Sequence, residues 1–146
     1  MKSELEGVDF ISFPTVQAVR GNLTALELPD VVPFEVRRIF LVHHVSNSEV
    51  RGEHAHKKCW QLLISTTGKV MVDLSDGEMS KTFRLDNPEK GLLIPPLIWG
   101  TQYNFSTNAA LLVLASESFD PDDYLHNFQE FKNFRRNNPN KTQLKG

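Results

Sequence analysis

The chain has 146 residues, a formal net charge of −2 and 40% hydrophobic residues, which fits one globular domain with a real core. There is no basic excess to offer nucleic acid or an anionic membrane, and the single cysteine, Cys59, excludes an intrachain disulfide. No run approaches the ~20 apolar residues that cross a bilayer, and "MKSELEGVDF" lacks the apolar core of a secretory signal, so a cytoplasmic protein is expected.

Runs rich in β-branched and aromatic residues recur along the chain and predict strands. In order they are 8–13 (VDFISF), 23–28 (LTALEL), 36–45 (VRRIFLVHHV) and 60–65 (WQLLIS), and within 51–68 the two histidines also sit on what reads as a strand. Then follow 69–74 (KVMVDL), 80–85 (SKTFRL), 91–95 (GLLIP), 101–106 (TQYNFS) and 110–115 (ALLVLA). Thr67-Gly68 ends the strand after the histidines, and Asp76-Gly77 is a hairpin signal. Short strands at regular spacing favour a sandwich or barrel over an alternating βαβ sheet. One helix is predicted over 120–134, with Asp120 as N-cap and Pro121 at the first helical position. Asp122 and Asp123 complement its dipole, and Tyr124, Phe128 and Phe131 form an apolar stripe that would pack on the β-body. Residues 137–146 read as a polar tail.

Alternate side chains of a strand share a face, so His54 and His56 point the same way. The pair could hold a metal, move a proton or fill space in a core. His54, His56, Gln61 and Gly68 stand at the spacing of the first signature of the cupin β-barrel. The step from His56 to Gln61 breaks strict alternation, so Gln61 joins the histidines only through a bulge or strong twist. A metal-binding cupin normally carries Glu at the Gln61 position and a third His in the second signature. The matching stretch, GLLIPPLIWGTQYNF, has no histidine, and the remaining ones are His43, His44 and His126. A neutral amide is a poor substitute for a carboxylate on a divalent cation, so no metal is expected. Acid–base or substrate-binding work suits the pair better, because the ordinary imidazole pKa of ~6.5 lies near working pH.

The stretch RGEHAHKKCWQ resembles the Arg-Gly-x-His-Ala-His-Lys motif of the sugar 3,4-ketoisomerases, small cupins that act on dTDP-4-keto-6-deoxyglucose. VRGNLTALE, PFEVRRIF, PPLIWGTQYNFS and ALLVLASESFDPDDYLHNFQEF are similar to further segments of that family. The resemblance implies an all-β cupin (double-stranded β-helix, jelly-roll) barrel with one C-terminal α-helix, occupying 1–136. It implies a reaction without cofactor or metal: a nucleotide-linked 4-keto sugar loses its C3 proton, and the carbonyl moves from C4 to C3 through an enediol. His54 would be the base and His56 its orienting or shuttling partner, an assignment that could be exchanged. Arg51 would meet the pyrophosphate, or be a solvated loop charge. Arg20 would lie near the sugar, or at a surface strand end. Gln61 would touch substrate, and Tyr103 would line the barrel mouth. Lys57 and Lys58 read as a solvated edge, Trp60, Trp99 and Cys59 as packing residues, and His43 and His44 as neighbours facing opposite ways.

Two positions depart from the family pattern. Phe40 stands where tyrosine is common, and Gly100 where histidine or arginine is common, so the stereochemistry at C4 is not legible. Other readings are an isomerase of a different keto sugar, a non-catalytic cupin that binds a sugar nucleotide, and a metal-dependent cupin. The first reading would supply an amino-sugar pathway for surface glycans. The N-terminal strands would leave open edges on a lone barrel. The resemblance implies a homodimer with swapped N-terminal strands, which would bring Arg20 near the histidines of its own or the partner subunit.

Overall fold

The computed structural model describes residues 4–139. Its strands are β1 (Asp9–Ser12), β2 (Thr15–Ala18), β3 (Gly21–Thr24), β4 (Arg38–His43), β5 (Arg51–His56), β6 (Gln61–Thr67), β7 (Val70–Ser75), β8 (Ser80–Leu85), β9 (Lys90–Ile94), β10 (Trp99–Tyr103), β11 (Ala110–Ala115) and β12 (Tyr124–Leu125). One helix, α1 (Phe128–Asn137), follows them. Two five-stranded antiparallel sheets, ordered β1-β9-β6-β11-β4 and β12-β5-β10-β7-β8, face one another, and β2-β3 forms a separate ribbon. This is the jelly-roll barrel of the cupin type that the sequence predicts.

The period-two pattern explains the packing. On β7, Val70, Val72 and Leu74 are buried between the sheets, while Met71 and Asp73 alternate toward the outside. The inner face of the opposite sheet contributes Leu63, Leu92, Leu111 and Val113. Strands β6, β9 and β11 bury their other face as well: Leu62, Ile64, Leu93 and Leu114 pack with Phe13 and Val32. Burial on both faces is why these strands read as continuous apolar runs. A third cluster joins Ala55, Leu97, Leu125 and Phe131, fastening α1 beside β5.

The predicted helix over 120–134 is divided. Asp120 caps only a 3₁₀ turn, Pro121–Asp123, and the chain then extends as β12, pairing Tyr124 with His56 and Leu125 with Ala55. The free edge of β5 satisfies the backbone there, and burial of Leu125 adds to it, so tertiary pairing overrides helix propensity. The helix starts at Phe128, where Asn127 Oδ1 accepts the Glu130 N–H at 2.9 Å. Tyr124 therefore leaves the apolar stripe. The 23–28 strand is also displaced: β3 ends at Thr24 and pairs with β2, which the sequence does not suggest. Gln61 reaches the histidines without a bulge, because the chain leaves one sheet at His56 and enters the facing sheet at Gln61. The helix continues to Asn137, and most of the expected polar tail, 140–146, lies outside the described residues. Among the described residues no helix is long and apolar enough to cross a membrane.

Phe131 is 0% exposed and meets Trp99 at 5.7 Å between ring centroids. Phe131→Ala is expected to cost about 3–5 kcal/mol in urea unfolding, because it opens a cavity where α1 meets the barrel.

Candidate active site

A cavity of about 510 Å³ opens between the sheets. Strand β5 contributes Arg51 and His54, β6 contributes Gln61, β10 contributes Gln102, and the β12 region contributes Tyr124 and His126. A recess of about 30 Å³ shares His54, Gln61 and Gln102 with it and reaches His56, Cys59 and Gly100.

His56 and Asp123 are both buried, at 6% and 4% exposure. His56 Nδ1 lies 2.9 Å from Asp123 Oδ2. A carboxylate only accepts, so Nδ1 carries the hydrogen and Nε2 is the atom left for chemistry. Nε2 is buried and has no protein partner. Asp123 Oδ1 accepts the Lys58 N–H at 2.8 Å, and the Asp123 carbonyl accepts the Lys57 N–H at 2.7 Å. Burial alone would raise the Asp123 carboxyl, but the bonds from His56 and Lys58 outweigh it and hold the group below the ordinary carboxylate range.

His54 stands one step nearer the mouth, its ring 5.0 Å from that of His56 and 5.0 Å from that of Tyr124. Burial, followed by the neighbouring His56, lowers its pKa from 6.5 to about 4. His54 is therefore neutral near neutral pH and able to accept a proton. Tyr124 also touches His56 at 4.5 Å and stacks on His126 at 5.5 Å with 6° between planes.

The backbone around His54 depends on glycine. Gly52 has φ +84, and a Cβ there would sit 2.9 Å from the Gly100 carbonyl oxygen. The β5–β10 register shifts between Gly100 and Thr101. The extra residue is Glu53 on β5, at φ +59, while β10 keeps a regular register with β7, where Gln102 pairs with the buried Val72 and lines the cavity.

The predicted site residues are thus partly assembled. Arg51, His54 and Gln61 line the main cavity, and His56 lies in the recess behind them. Tyr103 does not line the cavity: with Gln102 inward it alternates outward, and its hydroxyl donates to Asp73 Oδ1 at 2.9 Å. That bond, first among the causes, raises its pKa. Arg20 is exposed in the turn between β2 and β3, away from the cavity of its own chain. His43 and His44 are both exposed at the end of β4, with Nδ1 atoms 2.6 Å apart. Phe40 lines the cavity and supplies no hydroxyl.

Residues 6–136 match the FdtA family, described as WxcM-like, C-terminal. This chain belongs to that family. Over 124 residues it is 35% identical to the TDP-4-oxo-6-deoxy-alpha-D-glucose-3,4-oxoisomerase of Aneurinibacillus thermoaerophilus, covering 85% of this chain and 89% of that protein. A variant of the 3,4-ketoisomerase QdtA from Thermoanaerobacterium thermosaccharolyticum, solved in complex with TDP-4-keto-6-deoxyglucose, superposes with a TM-score of 0.89 at 32% identity, over 92% of this chain and 98% of that one. The WlaRB TDP-quinovose 3,4-ketoisomerase from Campylobacter jejuni gives a TM-score of 0.84 at 35% identity, over 88% and 99%.

Within this FdtA-family chain, three residues that sequence reasoning did not assign to the site stand against the histidines: Asp123, Tyr124 and His126. A cue was present. Asn127 followed by Glu130 is a capping box that starts the helix at 128, freeing the residues before it to form a strand.

Metal-binding cupins raise the question of a cation. Among the described residues, His56, Cys59 and Asp123 offer ligand atoms within 4.8 Å of one another. They fit a cation poorly. His56 and Asp123 are already bonded to each other, the second Asp123 oxygen takes the Lys58 N–H, and burial pushes the Cys59 thiol up.

The low pKa of His54 makes a signed prediction. The unfolded chain protonates this group near 6.5 and the folded protein only near 4, so the unfolded state binds more protons across that window. Folding stability should fall by about 1–2 kcal/mol between about pH 7 and about pH 5, and His54→Asn should remove that part of the slope in urea unfolding.

Proposed function

We propose that this chain is a TDP-sugar 3,4-ketoisomerase, moving the carbonyl of a 4-keto-6-deoxyhexose from C4 to C3 by histidine acid–base chemistry. The observation that carries the reading is His54, held neutral in a cavity that also presents Arg51 and backs onto a fixed His56. The carbonyl at C4 acidifies the C3 proton, and His54 removes it. The electron pair forms a C3–C4 double bond, and negative charge develops on the C4 oxygen. His56 Nε2, held by the carboxylate on its far side, takes the C3 hydroxyl proton and returns it to the C4 oxygen. The C3 oxygen becomes the carbonyl as C4 gains a hydrogen. Gln61 and Gln102 offer neutral amide donors to the oxygens, and Arg51 offers a cation to the diphosphate. The relatives support the substrate class, since those named above act on TDP-linked sugars. Activated sugars are made in the cytoplasm, and the reaction belongs there.

In deuterium oxide, TDP-4-keto-6-deoxyglucose should lose its C3 proton signal on addition of the protein. His54→Asn should slow that exchange by about 100-fold or more while circular dichroism stays unchanged. A folded wild-type protein that gives neither exchange nor a new keto sugar removes this substrate.

The assembly we propose is a homodimer with exchanged N-terminal strands. Val16 and Leu23 on the β2-β3 ribbon are 66% and 62% exposed, and Ile39 and Leu41 on the edge strand β4 are each 58% exposed. A second copy would cover these apolar faces and the open edge, and would bring Arg20 toward a neighbouring cavity. Light scattering should return twice 16.6 kDa, and a mass of one chain would overturn the dimer.

A further inference from the structure

The proposed reaction needs a proton for C4 as well as a base at C3, and the two main walls of the cavity do not supply one. Strand β4 presents Phe40, β10 presents Gly100 and the amide Gln102, and β6 presents the amide Gln61. None of these releases a proton near neutral pH. The titratable side chains on the cavity are Arg51, His54, Tyr124 and His126. A guanidinium keeps its proton, and a phenol ordinarily gives one up only near pH ~10. His54 is engaged as the base. His126 remains. It is exposed at the mouth, its ring lies 5.9 Å from that of His54, and its stacking on Tyr124 fixes the plane of the imidazole. It enters from beyond β12, on the side of β5 opposite β10, so it reaches a bound sugar from the wall that Gly100 does not occupy.

We propose that His126 is the catalytic acid that protonates C4, an assignment that rests on the ketoisomerase reading. His126 enters this step protonated. Its N–H bond breaks as the C4–H bond forms with the electron pair of the C3–C4 double bond, and the C3 oxygen closes to the carbonyl. His54 ends the turnover with one proton more and His126 with one fewer. The exposed His126 recovers its proton from water, and His54 returns its own through the open cavity. The new C4 hydrogen therefore comes from solvent and not from C3.

The test separates the two half-reactions. With TDP-4-keto-6-deoxyglucose in deuterium oxide, wild type should place deuterium at C4 of the product. In His126→Asn, C3 exchange, which needs only His54, should persist, while formation of C4-labelled product falls by about 100-fold. Added imidazole should restore C4 labelling in His126→Ala, because the site is open to solvent. His126→Asn within about threefold of wild type in C4 labelling overturns the proposal. So does loss of C3 exchange together with C4 labelling in a folded variant, or a Tyr124→Phe variant that alone loses C4 labelling. Absence of C3 exchange in wild type is a different outcome, which rejects the ketoisomerase reading itself.

Discussion

The bond between His56 and Asp123 joins two parts of the chain that are 67 positions apart, and the histidine face of the cavity is arranged around it. A carboxylate as enclosed as Asp123 is tolerated only when its oxygens are satisfied, and His56 and the Lys58 N–H satisfy them. The same contact fixes the imidazole tautomer. It also draws the 120–125 segment alongside β5, so that β12 pairs with the histidine strand instead of continuing a helix. Removing Asp123 would leave His56 Nδ1 buried without its acceptor, and removing His56 would leave the buried Asp123 with the Lys58 N–H on one oxygen and nothing on the other, a larger loss than the bond itself is worth. Tyr124 and His126 owe their places to this attachment.

Burial then divides the roles of the histidines. His56 is enclosed and tied to a carboxylate, His54 is partly enclosed, and His126 meets water. Asp123 favours the charged form of His54, but from behind His56 its effect is the smallest among the causes. Desolvation wins, and the His54 imidazole keeps a free lone pair.

Much of the barrel was legible. Strands β8 and β11 coincide with SKTFRL and ALLVLA, and Asp76-Gly77 does turn the chain between β7 and β8, with Gly77 at φ +94. The His-x-His pair was legible because a period of two is intrinsic to a strand. What escaped depended on contacts between distant segments. Gln102 pairs with the buried Val72 and Tyr103 with Met71, so the register against β7, a distant segment, decides which of the two enters the barrel. Asp123 reads as a helix-dipole residue when DPDDYLHNF is considered alone, and only the free edge of β5 makes that segment extend. The capping box at Asn127 was the one local sign that the helix begins later.

The order of these pieces along the chain also matters while the protein is being made. Strands β1 to β11 are complete at Ala115, and Asp123, Tyr124 and His126 come after them. A nascent chain leaving the ribosome can therefore close both sheets while β5 still shows a bare edge. Such an edge invites pairing with other newly made chains. Arrival of Tyr124 and Leu125 covers it in the same event that supplies the carboxylate behind His56. Closure of the sheet edge and completion of the His56–Asp123 pair therefore coincide: a product of interrupted synthesis that ends before Asp123 carries both cupin histidines without that carboxylate and with the β5 edge bare.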